Sequence, residues 1–241
     1  METIEKRIKN NDAYVLGITK NFVIVNNNYE GLVVYYKDLS FKKDLFVDED
    51  LVVYQLFSSE ENDFVVLQDI EKEVLYSVDI ETNHIEKLNW TIAVGPYYYV
   101  EDATFHLAAS EAKYVFSYQN LALLEKSASE FNNNVILANN QKDILLLTDS
   151  GELVYNNHVL EVVEDADFVY SVKNNLVLKQ AENALYCFSL ENWVSIFEVQ
   201  ENLLIRSTII DTHNIYMLIN DKTDANASEI KVLPIPVDYT H

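Results

Sequence analysis

Glycine, proline, cysteine and basic residues are all scarce in this chain. With four glycines in 241 residues (Gly17, Gly31, Gly95 and Gly151), no Gly-x-Gly-x-x-Gly, Walker loop or Gly-x-Ser-x-Gly elbow exists, so phosphate cradles built from glycine are excluded. Three prolines and no Ser/Gly-rich stretch leave no linker, which predicts one domain spanning 1–241. The single cysteine, Cys187, cannot form an internal disulfide, as expected in a reducing compartment, and its place between Tyr186 and Phe188 predicts a buried, unreactive thiol. No apolar run approaches the roughly 20 residues of a membrane span, and residues 1–10 lack the apolar stretch of a signal peptide. These absences predict a cytoplasmic protein with no membrane partner. Lys and Arg number 17 against 39 Asp and Glu, a net charge of −22 with pI near 4.4. Such a field repels phosphate backbones and excludes nucleic acid as the expected partner.

What is present is apolar and aromatic. Hydrophobic residues make up 49% and aromatics 12%, enough for a substantial core. Turns must be built mainly from Asn, Asp, Ser and Lys, with Asn the expected substitute for glycine where φ is positive. The stretch 62–88 reads as three strands. Phe64-Val65-Val66-Leu67 is a short run buried on both faces. Val74, Tyr76, Val78 and Ile80 then alternate with Leu75, Ser77 and Asp79, placing the two sets on opposite faces of one strand. Glu81-Thr82-Asn83 turns the chain into a third strand starting at Ile85.

This unit recurs. Leu75-Tyr76-Ser77-Val78-Asp79-Ile80-Glu81 matches Leu185-Tyr186-Cys187-Phe188-Ser189-Leu190-Glu191, and Val34-Tyr35-Tyr36-Lys37-Asp38-Leu39 follows more loosely. Weaker copies near Tyr114, Leu153 and Ile230 complete a period of about 39 residues, that of a four-stranded propeller blade. Six units follow, over 13–46, 51–88, 97–126, 135–163, 168–199 and 203–235. The sixth stops after three strands, because Pro234 and Pro236 disfavour another internal strand. Glu2-Thr3-Ile4-Glu5-Lys6-Arg7-Ile8 resembles the outer strand of the second unit and is expected to complete the last blade. The chain thus resembles β-propellers of the WD40-like or quinoprotein-like kind over most of its length. It lacks the Trp-Asp dipeptide, the kelch double glycine and any recurrent metal-binding loop. The expected fold is all-β: a single propeller of about six four-stranded blades.

Chemistry is sparse. His84, His106, His158, His213 and His241 show no short metal-pair spacing; only His84 and His158 fall in comparable turns. Asp221-Lys-Thr-Asp224-Ala-Asn226 offers calcium-like oxygens but lacks the glycine and terminal glutamate of an EF-hand. Tyr97-Tyr98-Tyr99 alternates across a strand rather than forming one platform. No cofactor, metal or catalytic residue is expected. The distribution of acids is more informative. In a propeller the second-to-third turns and the connections between blades emerge on one face. Sorted that way, this first face receives Asp48, Glu49, Asp50, Asp69, Glu71, Glu73, Asp149, Glu152, Glu164, Asp165, Asp167, Glu182, Asp221 and Asp224, with few lysines. The expected partner-binding residues are Asp48, Glu49, Asp50, Asp69, Glu71, Glu164, Asp165, Asp167, Asp221 and Asp224, and the expected partner is a basic protein or peptide. The protein would then be a scaffold, or an inhibitor of a basic toxin or nuclease. Two alternatives are an enzyme or small-ligand binder with its site at the mouth of the central channel, and a structural subunit with a large exposed apolar surface.

Overall fold

The computed structural model describes residues 4–8, 13–27, 29–91, 98–101, 103–108, 112–128, 135–140, 143–148, 150–163, 169–173, 175–220 and 228–236. Among them lie six antiparallel four-stranded sheets and no helix. Strand β1 is Ile4–Ile8. Blade 1 contains β2 (Leu16–Ile18), β3 (Phe22–Asn27), β4 (Gly31–Tyr36) and β5 (Phe41–Phe46). Blade 2 contains β6 (Gln55–Ser58), β7 (Phe64–Asp69), β8 (Val74–Asp79) and β9 (Ile85–Asn89). Blade 3 contains β10 (Tyr98–Glu101), β11 (Thr104–Ala108), β12 (Ala112–Ser117) and β13 (Leu123–Ala128). Blade 4 contains β14 (Val135–Asn140), β15 (Asp143–Leu147), β16 (Glu152–Tyr155) and β17 (His158–Val162). Blade 5 contains β18 (Val169–Lys173), β19 (Leu176–Gln180), β20 (Ala184–Ser189) and β21 (Ser195–Gln200). Blade 6 joins β22 (Leu204–Ile210), β23 (Asn214–Asn220) and β24 (Ser228–Pro234) to β1. The chain is a six-bladed β-propeller.

Closure follows the expected route. Ile4 pairs with Val232 and Ile8 with Ser228, so the first strand of the chain is the outer strand of the last blade. Lys231 secures this ladder, lying 3.6 Å from Glu5 on β1 and 3.0 Å from Glu201.

The core sits in the seams between blades, and in blades 1 and 2 the middle strands bury both faces. In β3, Phe22 and Ile24 join the cluster shared with blade 2, whereas Val23 and Val25 join the cluster shared with blade 6. The alternation in β8 sorts likewise: Val74, Tyr76 and Val78 face blade 1, and Leu75 faces blade 3. Near-continuous apolar runs in the middle strands are what double-sided burial requires.

One turn is repeated. In blades 2, 3 and 5 the residue closing the third strand (Asp79, Ser117, Ser189) accepts, through its carbonyl, the N–H four residues on (Asn83, Leu121, Trp193), each bond being 2.9 Å. That fourth residue has φ of 53–63°. Asn holds a positive φ at positions 83, 156, 157 and 175, as expected, but Tyr29, Leu39, Leu121 and Trp193 do so too. At Leu39 and Leu121, both 2% exposed, burial of the side chain offsets the backbone cost.

Candidate functional site

On the first face, the connection running from Val47 to Tyr54 lies over the seam between blades 1 and 2. Its backbone is tied to the second-to-third turn of blade 1 and to the end of β7 in blade 2. Val47 and Leu51 donate to the carbonyls of Glu30 (2.8 Å) and Tyr29 (2.7 Å), and Tyr54 donates to that of Gln68 (2.8 Å). Two of the predicted acids make this arrangement possible. Asp69 is fully buried and accepts the N–H groups of Lys72 (2.9 Å) and Val52 (3.1 Å). Asp48 accepts the Tyr76 hydroxyl at 2.5 Å and the Lys87 ammonium at 3.1 Å, with Lys72 at 3.6 Å. The Tyr76 hydrogen bond, and then the Lys87 and Lys72 charges, hold its carboxyl at about 2. Lys72 also donates to the Glu49 carbonyl. Asp69 therefore presents no atom to a partner, and Asp48 is already neutralised by two lysines.

The remaining described acids are different. Glu49, Asp50 and Glu71 are exposed, as are Glu30 and Glu73, and none of these five side chains pairs with a described residue. Among them stand large apolar side chains that sequence reasoning missed: Tyr29 (46% exposed), Phe46 (60%), Tyr54 (57%) and Ile70 (36%). Their only signal was position, since Tyr29 and Ile70 fall in turns and Tyr54 in a connection, where burial is not required. Glu164, Asp165, Asp167, Asp221 and Asp224 lie outside the described residues, as do Asp149, Tyr97 and the loop considered for calcium.

Acids also occupy the second face, which carries the first-to-second and third-to-fourth turns. Among the described residues these are Asp38, Glu60, Glu61, Asp63, Glu81, Glu191 and Asp211. Most of them work within the ring. Glu60 of blade 2 ion-pairs with Lys173 of blade 5 and accepts from the Thr212 N–H (3.3 Å) and hydroxyl (3.2 Å) of blade 6. In a six-membered ring blades 2 and 5 are opposite, so this contact crosses the axis at the channel mouth. Asp63 accepts from Thr19 (2.8 Å) and from the Asn21 backbone (2.9 Å) and amide (2.6 Å) of blade 1. Asp211 accepts from Tyr216 (3.0 Å) and Lys37 (3.2 Å). Burial alone would raise its pKa, but the His213 N–H, Lys37 and further donors outweigh that and hold it low.

Other candidate chemistry is quiet. Burial pushes the Cys187 thiol up to about 12, which disfavours a nucleophilic thiolate. His84 contacts Glu86 at 2.8 Å and His106 contacts Thr104 at 2.9 Å. Among the described residues no three His, Cys, Asp or Glu side chains converge as a metal would require. No helix among them is long and apolar enough to cross a membrane.

The chain matches no protein-family model and no curated protein. Similarity is found to solved structures. One is the computationally designed Ika8 protein, at 11% identity and a TM-score of 0.50, covering 92% of this chain and 83% of that one. Another is KlHsv2 with loop 6CD replaced by a Gly-Ser linker, at 11% identity and a TM-score of 0.46, covering 86% and 74%. At such identity the likeness to Ika8 shows the fold alone.

Proposed function

We propose that this propeller is a non-catalytic, intracellular interaction module whose first face binds a basic protein or peptide, as a scaffold or as an inhibitor of a basic toxin or nuclease. The observation that carries this reading is the surface over the blade 1–2 seam, where exposed Glu30, Glu49, Asp50, Glu71 and Glu73, none of them paired with a described residue, lie along the same turns and connection as exposed Tyr29, Phe46, Tyr54 and Ile70. Carboxylates attract guanidinium and ammonium groups, and aromatic faces stack on the same cations while excluding water. Acids serving solubility alone need no such aromatic company. The net charge of −22 steers a basic partner from a distance and makes association fast and salt-sensitive.

The test is a surface-binding measurement with an arginine-rich nonapeptide as probe. Reversing Glu49, Asp50, Glu71 and Glu73 to Lys should slow association by at least about tenfold, and raising salt from about 0.05 to 0.5 M should weaken the wild-type complex likewise. Asp38, Glu61, Glu125 and Glu198, reversed together, give the same net charge and should change the rate by less than about twofold once ionic strength is matched. Equal effects from the two sets would assign the acidity to solubility.

A further inference from the structure

We propose that the seam between blades 4 and 5 is a binding seat for a primary alkylammonium group, because it is the place that a lysine of the chain's own fills at the seam between blades 1 and 2.

The two seams are built on the same plan. In blade 1 the β4–β5 ladder slips between Val34 and Tyr35, leaving Lys42 as the extra residue ahead of the Val34–Lys43 pair. In blade 4 the β16–β17 ladder slips between Leu153 and Val154, leaving Leu160 ahead of the Leu153–Glu161 pair. Leu160 therefore stands where Lys42 stands, and Glu161 where Lys43 stands. Across the seam, the repeated turn equates Glu81 with Glu191 and Asn83 with Trp193. A second contact agrees with this equivalence: Lys43 donates to the Asn83 side chain, and at the other seam the Trp193 indole donates to Glu161 at 3.4 Å.

At the first seam the Lys42 ammonium sits 2.9 Å from Glu81, 3.8 Å above the centre of the Phe22 ring and 5.5 Å from that of Tyr36. At the second seam leucine stands in this place, as Leu124 and Ile196 do at the matching slips in blades 3 and 5. Glu191 is exposed and pairs with no described residue, and a cavity of about 410 Å³ opens beside it. Tyr155, which ends β16 as Tyr36 ends β4, forms part of the lining with Leu160, Leu190, His158 and Asn175. Among the described residues no lysine or arginine lines the cavity. An alkylammonium ligand would place its charge at Glu191, its head near the Tyr155 ring and its chain over Leu160, while Leu145, which pairs with Tyr155 as Phe22 pairs with Tyr36, stands in place of the Phe22 ring. The negative field of the molecule enriches cations and excludes anions of the same shape.

The source of the amine is either a free small molecule or a lysine side chain of another protein. The test titrates n-butylamine, n-butanol and butyrate into isotope-labelled protein and follows amide shifts by NMR. The amine should perturb residues at the blade 4–5 seam and bind about three- to tenfold more tightly than the alcohol, with butyrate weakest. Glu191→Gln, at an exposed position that the fold does not need, should erase the preference for amine over alcohol. Leu160→Lys should fill the seat from within and abolish amine binding. The four first-face reversals should leave the seam shifts in place, which separates this site from the proposed peptide surface. Nα-acetyl-lysine methylamide distinguishes the sources: binding with the same pattern assigns the seat to a partner's lysine, and binding of butylamine alone assigns it to a free amine. Equal binding of amine and alcohol, an unchanged preference in Glu191→Gln, or amine shifts scattered over the acidic surface would each overturn the proposal.

Discussion

Asp48 and Glu49 are adjacent acids with opposite duties, and the difference lies in what reaches them. Asp48 meets Tyr76 from β8 and Lys87 from β9, so its charge is satisfied inside the fold, whereas Glu49 faces solvent. Asp48→Asn should destabilise the protein by about 1–2 kcal/mol at neutral pH, because it weakens hydrogen bonds made to a charged group. The sign of the pH dependence follows from the depressed pKa. The contribution of Asp48 is fully present above the unfolded value of 3.8 and is lost as pH falls through about 2. Urea unfolding should therefore separate mutant from wild type at pH 6 and bring them together near pH 2. Nothing in the local sequence distinguishes Asp48 or Asp69 from Glu49 and Asp50, since the partners of Asp48 lie 28 and 39 residues away.

The strands of blades 1 and 2 were legible because their middle strands bury both faces, and runs such as Phe64-Val65-Val66-Leu67 have few other uses. The observed blades fall within a few residues of the expected ones. Two element-scale predictions follow from close packing at strand edges. At Gly31 an added Cβ would lie 2.0 Å from the Leu45 carbonyl oxygen and 2.9 Å from the Val47 nitrogen, both backbone atoms of the adjoining strand and connection. Gly31→Ala should therefore cost about 3 kcal/mol or more, read by chemical denaturation, because the backbone has to move. Deleting residues 1–9 removes β1, exposes the edge of β24 and frees Lys231 from Glu5, so the melting temperature should fall by at least several degrees. An unchanged melting curve would show that β1 contributes nothing to closure. Turn chemistry was less legible. Leu39, Leu121 and Trp193 take positive φ because of what they pack against, a cause that lies outside the turn.

At the scale of the ring, Glu60 acts as a strut across the axis. Glu60→Ala should lower stability by about 1–2 kcal/mol, and Glu60→Gln by less, since it keeps an acceptor for Thr212. A double-mutant cycle with Lys173→Met should return a coupling of about 0.5–1 kcal/mol, the range for a partly exposed ion pair. A coupling near zero would mean that the two blades are held apart from this contact. The same observation makes Glu60 and Asp63 poor neutral controls for charge reversal, as each is tied to neighbouring blades. Acidity is thus a property of both faces among the described residues, and the faces differ in how the acids are employed. On the second face Glu60, Asp63 and Asp211 join blades, and on the first Glu49, Asp50, Glu71 and Glu73 stand unpaired among exposed aromatics.

By itself the sequence determined the strand pattern, the repeat of about 39 residues, the missing strand of the sixth blade and its replacement by residues 4–8. These are set by local periodicity and by the need to leave no open edge, both of which are written along the chain. Only the tertiary structure decided which carboxylates are free, which aromatics are exposed, that Glu60 spans the channel mouth, and that Glu191 lines a cavity at the blade 4–5 seam. Each of these depends on atoms brought together from distant blades, and the distances that fix a charge's partner exist only once the ring has closed.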